Sequence, residues 1–272
     1  MTYFGFLLRF IVTANAALWV ARAALRRAGR EGWVASVARQ SPARMTGYFG
    51  LLAAVILLYT TPWDSALIRL GVWGYARQRV WGLTLDGVPW EEILFYLLQS
   101  ALVAQCFDLA TVRRPHAPRV VPAPGCARRR LPFAAMWAVW VFAALWAAYA
   151  LAHRVSHLTY LAMLLPWVLL PLAIQVSYGA DGIARQARPV AFATLAPAAY
   201  LSICDGIAIH GGIWFFRPRN ITDLRLGDVP IEEILFFLGS SLMIAMSLAV
   251  IASRRAERWL RRPPERSREV GT

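Results

Sequence analysis

The sequence has no lysine, three cysteines, four histidines and only 16% charged residues among its 272. So little charge excludes an ordinary water-soluble domain: with 58% of residues apolar, several hydrophobic runs must meet lipid. Cys106, Cys126 and Cys204 are odd in number and show no C-x-x-C spacing, which argues against a disulfide framework and a thiolate metal site. They read as small apolar fillers. His153 and His157 flank a short stretch around Arg154 with no acidic companion, so no metal is expected there. Neither a P-loop nor a glycine-rich dinucleotide fingerprint occurs, so nucleotide or flavin binding has no support and no cofactor is expected.

What is present is hydrophobic length. The runs Tyr3 to Ala21, Tyr48 to Leu70, Pro89 to Leu109, Leu131 to Ala152, Leu158 to Val176, Pro189 to Ile209 and Pro230 to Ala252 each have roughly the 17 to 25 residues that cross a bilayer as a helix. Lipid offers no partners to backbone N–H and C=O groups, which favours helices over anything less regular. The expected fold is therefore all-α, a polytopic membrane bundle of about seven transmembrane helices. The first run lacks a basic region before it, contains Arg9 and Asn15, and is followed by further spans, so it reads as helix one and not as a cleaved signal.

The net charge of +14 comes from 29 arginines, and their placement decides its meaning. The loops after the first and third spans, the pair Arg185 and Arg188, and the tail from Arg254 to Arg268 together hold 21 of them. The opposite side holds seven: Arg69, Arg77, Arg79, Arg154, Arg217, Arg219 and Arg225. Such a bias is expected of a multi-pass cell-membrane protein with its N-terminus outside and its C-terminus in the cytoplasm. The lipid bilayer, and not nucleic acid, is the partner this charge implies.

Laying residue n on residue n + 141 aligns Asp64 to Leu102 with the later chain, without a gap, at 15 identities in 39 positions. The matches include Asp64 with Asp205, Gly71 with Gly212, Trp73 with Trp214, and Pro89, Glu91 and Glu92 with Pro230, Glu232 and Glu233. Thr2-Tyr3 resembles Thr159-Tyr160 at a different offset. The expected organisation is a first three-helix unit (1–112), a basic linker plus connecting helix (113–157), a second three-helix unit (158–253) and an Arg-rich tail (254–272). Pro115, Pro118, Pro122 and Pro124 mark the linker as flexible. Four spans separate equivalent helices, and an even number preserves direction, so the repeats should be parallel, related by a pseudo-two-fold along the membrane normal.

Both Pro-x-Glu-Glu segments should open a helix, with the proline near the first helical position and the carboxylates in the first turn. One such glutamate is explained by the helix dipole alone. A pair repeated in both units beside lipid points to a role. Phe95 and Phe236 lie one turn beyond Glu91 and Glu232, and Tyr96 and Phe237 one turn beyond Glu92 and Glu233, so each acid has an aromatic neighbour suited to a cationic intermediate. Asp64 and Asp205 either bond to the loop carrying Trp73 or Trp214, or help hold a proton near the glutamates. Trp73 and Trp214 read as interfacial residues or, from their matched positions, as secondary site candidates.

Asp64, Trp73, Pro89-Trp90-Glu91-Glu92-Ile93-Leu94-Phe95 and their partners Asp205, Trp214, Pro230-Ile231-Glu232-Glu233-Ile234-Leu235-Phe236 resemble the lycopene cyclase domain family, across both units. The resemblance implies a flavin-independent carotenoid cyclase that closes the linear ends of lycopene to rings, giving γ-carotene and then β-carotene without net redox. Contact with other carotenoid-pathway enzymes is left open. Ring closure needs a proton delivered to a terminal double bond and another taken from the new ring. Two adjacent carboxyls in a dehydrated site are not both ionised cheaply, so one is expected to keep its proton. Glu91 and Glu232 are the leading candidates for proton transfer, followed by Glu92 and Glu233; Phe95, Phe236, Tyr96 and Phe237 would face the cation.

Other readings are a cyclase of longer carotenoids, a hydratase that lets water capture the cation, and a non-enzymatic transporter or scaffold. An intramembrane protease of the paired-glutamate type would want arginine where Tyr96 and Phe237 stand.

Overall fold

The computed structural model describes residues 1–112 and 126–252. In chain order the elements are α1 (Tyr3–Arg27), α2 (Trp33–Gln40), α3 (Pro42–Leu70), the short strands β1 (Trp73–Tyr75), β2 (Thr84–Leu85) and β3 (Val88–Pro89), then α4 (Trp90–Ala110) and α5 (Cys126–Ala152). There follow α6 (Thr159–Arg185), α7 (Ala187–His210), β4 (Trp214–Phe216), β5 (Arg225–Leu226), β6 (Val229–Pro230) and α8 (Ile231–Ile251). All the helices except α2 include a stretch long and apolar enough to cross a membrane, which makes seven spans among the described residues, as the hydrophobic runs require. Most of the proline-rich linker and the whole Arg-rich tail lie outside the described residues.

The same sequence of events follows the second helix of each unit. Helix α3 stops at Gly71, which takes the left-handed conformation at φ 71°, and α7 gives way to Gly212 at φ 64°. Each then runs into a three-residue strand and a two-residue hairpin. The first hairpin turns on Asp86 (φ 52°) and Gly87 (φ 85°), the second on Gly227 (φ 64°), the left-handed geometry tight hairpins need. The hairpins end on Pro89 and Pro230, which are extended (φ −60°, ψ 144° and φ −61°, ψ 145°) and cap α4 and α8. The prolines thus stand immediately before the first helical position, near which they are expected, and each also closes a β-ladder, opposite Thr84 or Arg225.

Contacts between the units obey a two-fold rule. Strand β1 pairs antiparallel with β4 so that Gly74 faces Phe215, its own counterpart 141 residues on, while Trp73 faces Phe216 and Tyr75 faces Trp214. Deeper in the bundle the Gln99 amide donates to the Ser240 hydroxyl at 2.7 Å, and these residues too are 141 apart. Between the two levels Phe95 meets Phe237 and Tyr96 meets Phe236, at centroid distances of 6.2 and 6.3 Å, a crosswise pair that a two-fold axis interchanges. A contact between equivalent positions is what an isologous interface places on its axis. That axis runs through the β1–β4 ribbon and down between α4 and α8.

At the far end of the bundle the basic stretch after α1 contains α2, where sequence reading expects only a loop. Asp108 of α4 holds it: its Oδ1 accepts the Ala35 backbone N–H at 2.9 Å and its Oδ2 pairs with Arg22 Nε at 2.6 Å. Gly32 precedes α2 because a side chain there would collide with the Asp108 backbone carbonyl and carboxyl.

Candidate active site

Each hairpin delivers its glutamate pair to the second and third positions of a helix, where consecutive side chains point about 100° apart. The first glutamate of each pair turns to the loop. Glu91 Oε1 accepts the backbone N–H of Trp81 at 2.7 Å, and Glu232 Oε1 accepts that of Thr222, the matched residue, also at 2.7 Å. Both are buried, at 2% and 0% exposure, so each carboxyl replaces water for a loop N–H drawn out of solvent.

The second glutamate of each pair turns to the two-fold axis. There a cavity is lined by Tyr3 and Phe6 of α1, Trp73 and Tyr75 of β1, and Glu92, Phe95 and Tyr96 of α4. The other unit adds Tyr160 of α6, Leu201 and Asp205 of α7, Trp214 and Phe216 of β4, and Glu233, Phe236 and Phe237 of α8. Glu92 and Glu233 therefore face one shared space, with the β1–β4 ribbon forming part of its wall. Its free volume is about 40 Å³, enough for a water molecule or two but not for a six-membered carbon ring.

The hydrogen bonds around the two acids are only partly symmetric. The Tyr3 hydroxyl donates to Glu92 Oε2 at 2.5 Å, and the Tyr160 hydroxyl donates to Glu233 Oε1 at 2.5 Å. Glu92 Oε2 takes a second hydroxyl, from Tyr75, at 2.9 Å. Burial, followed by the nearby Asp64 and Glu92 carboxyls, pushes the Tyr75 phenol well above its ordinary range, so it stays a donor at physiological pH. The aspartates diverge as well. Trp214 Nε1 donates to Asp205 Oδ1 at 2.9 Å, a bond to the following strand, whereas Asp64 accepts the Tyr96 hydroxyl at 3.0 Å and stands one hydrogen bond behind the cavity wall.

Sequence reasoning singled out Phe95, Tyr96, Phe236, Phe237, Trp73, Trp214 and Asp205, and the structure brings all of them to this cavity together with Glu92 and Glu233. Glu91 and Glu232 are placed outside it, against the loops. Tyr3, Tyr160 and Tyr75 escaped sequence reasoning. The signal for the first two was the Thr-Tyr pair that opens the first span of each unit.

The rings form a continuous wall. Trp63 stacks on Trp167 at 4.2 Å and on Phe236 at 5.9 Å, and Phe236 meets Phe237 at 5.4 Å. Carboxyls in an apolar, aromatic slot inside a membrane bundle are a constellation able to exchange protons with a hydrophobic molecule.

The chain belongs to the lycopene cyclase family, whose profile matches residues 2–109 and 156–251 and so spans both units. It is 32% identical to a lycopene beta-cyclase of Halobacterium salinarum over 205 residues, 75% of this chain and 81% of that protein. Bifunctional lycopene cyclase/phytoene synthases of Sporisorium reilianum and Phaffia rhodozyma are each 30% identical, over 71% and 73% of this chain but 29% and 31% of those longer proteins. No solved structure matches.

Proposed function

We propose that the shared cavity closes the linear ends of lycopene to β-ionone-type rings, one end at a time, with Glu92 and Glu233 as the proton-transfer pair. The observation that carries this reading is that one glutamate from each unit, the half-buried Glu92 and the buried Glu233, faces the same aromatic slot. One carboxyl gives a proton to the terminal double bond, and the neighbouring double bond attacks the resulting cation. The other carboxyl takes a proton from the new ring. No net oxidation occurs, and no cofactor is required by the balance. The faces of Phe95, Tyr96, Phe236 and Phe237 stabilise the passing positive charge.

With so little free volume, an incoming polyene end must displace aromatic side chains. The aromatic side chains that pack around the seated end would keep out the water that captures the cation, which favours a ring over a hydroxylated product. Glu91 and Glu232 hold the loops that set the first turns of α4 and α8. The arginine distribution supports a multi-pass orientation with the hairpins and the N-terminus outside. The bifunctional fungal relatives support contact with a synthase of the same pathway.

Expression in lycopene-accumulating cells tests the reading. A change from red to orange with ringed products is expected; unchanged lycopene, with the protein present in membranes, would sink it.

A further inference from the structure

We propose that Tyr75 is a positioning residue that decides which ring isomer forms, by locking the carboxyl of Glu92 as the proton acceptor. The inference deepens the reading above and rests on it.

After ring closure the positive charge lies on a ring carbon that bears a methyl group. Three neighbouring C–H bonds can then supply the electron pair for a new double bond. Loss of the proton from the ring carbon that carries the polyene gives a β ring. Loss from the ring methylene on the other side gives an ε ring, and loss from the methyl group gives a γ ring. In each case one proton leaves to the base, balancing the one delivered by the acid. The competing hydrogens are close neighbours, so the selection depends on where the accepting oxygen points.

A carboxyl held by a single hydrogen bond swings about its broad terminal torsion. In the second unit Glu233 is in that position: among the described residues the Tyr160 hydroxyl is the one side-chain donor bonded to it, and Phe216 stands where a further hydroxyl would be. In the first unit Tyr75 occupies the matched place and puts a second O–H on the same oxygen that Tyr3 already serves. Two donors occupy the lone pairs of Oε2, so Oε1 is left to take a proton, in a plane the two hydroxyls set.

Tyr75 is itself held firmly. Its strand pairs with β4 opposite Trp214, and its ring stacks on Tyr3 at 6.1 Å with an interplanar angle of 16°. Glu233, less constrained, suits the donor role.

The test is Tyr75→Phe in lycopene-accumulating cells, with pigments separated by chromatography and the protein in membranes quantified by immunoblot. Total conversion falls, and among the rings that form the ε and γ types rise to roughly one in ten, a loss of selection readable as a product ratio. Rings of the same type as those of the unmodified protein would overturn the proposal, as would variant protein present in membranes that forms no ring at all. If the variant does not accumulate, Tyr3→Phe removes the other donor and must shift the ratio in the same direction. An unmodified chain that leaves lycopene red refutes the functional reading itself, a result distinct from an unchanged ratio in the variant.

Discussion

In the first unit the cavity-facing glutamate is held by two tyrosine hydroxyls; in the second, among the described residues, one hydroxyl bond is made to it. The backbone around them is nearly interchangeable, with the same strand, hairpin, proline cap and loop-binding first glutamate in each half. Even the helix irregularities fall at matched depth by different means. A π-helical turn at Leu7–Val12 in α1 answers to Pro166 inside α6, and one at Ile56–Thr60 in α3 answers to Pro197 inside α7. Both devices interrupt the regular backbone ladder. The lesson is that a two-fold scaffold is compatible with an unsymmetric site: two Tyr-to-Phe differences, at 75/216 and 96/237, give the two carboxyls different surroundings, as the proposed acid and base would need.

The sharpest way to break this comparison is to remove one cavity acid at a time. Glu92→Gln and Glu233→Gln should each cut ring formation by about 100-fold or more, the range for loss of a general acid or base. Glu91→Gln and Glu232→Gln should cost far less, because an amide oxygen still accepts the loop N–H. Pigment ratios per unit of membrane protein decide, and equal losses in all four would erase the distinction between first and second glutamates.

Next in size is a contact that belongs to the first unit alone. Asp108 has Ala249 as its counterpart, so Asp108→Ala should destabilise by about 3 kcal/mol through the stranded Arg22 and the freed α2. Thermal unfolding in detergent would register it, and an unchanged midpoint would show that α2 is held by other means.

A smaller effect separates the two tyrosines at the start of the units. Tyr160→Phe should slow turnover about tenfold, because it removes the hydroxyl bond seen on Glu233, whereas Tyr3→Phe leaves Glu92 one donor and should cost less. The reverse order would contradict the proposed difference in restraint.

The smallest concerns the hairpins. The Ser65 hydroxyl and then Arg69 hold the Asp86 carboxyl below its ordinary range. A depressed carboxyl contributes stability above its ordinary titration range and loses it as pH falls through the lowered value. This group is exposed, so the effect is local: the protection factors of the hairpin amides, exchange rates corrected for the intrinsic pH dependence, should fall on acidification, and Asp86→Asn should blunt that response.

Much of the bundle was legible before any coordinates. Seven spans follow from apolar runs, since crossing lipid constrains both length and composition within each segment. Helix α2 was not legible: eight residues containing an arginine look like loop until Asp108, more than 60 residues away, is seen to hold their N-terminus. The loop bonds of Glu91 and Glu232 were hidden for a related reason. Adjacent glutamates on a helix differ by a rotation of about 100°, and the side that meets the cavity depends on how the preceding hairpin docks.

By itself the amino-acid order determined that this chain lives in a membrane, is built from a repeated three-helix unit and carries paired acids with aromatic neighbours, because those properties reside in local composition and spacing. Only the tertiary structure decided that the units enclose one cavity, that the second glutamate of each pair faces it and that Tyr3, Tyr75 and Tyr160 serve those acids. Such contacts join residues 17 to 89 positions apart, and their existence depends on how whole helices pack, which no short window of sequence encodes.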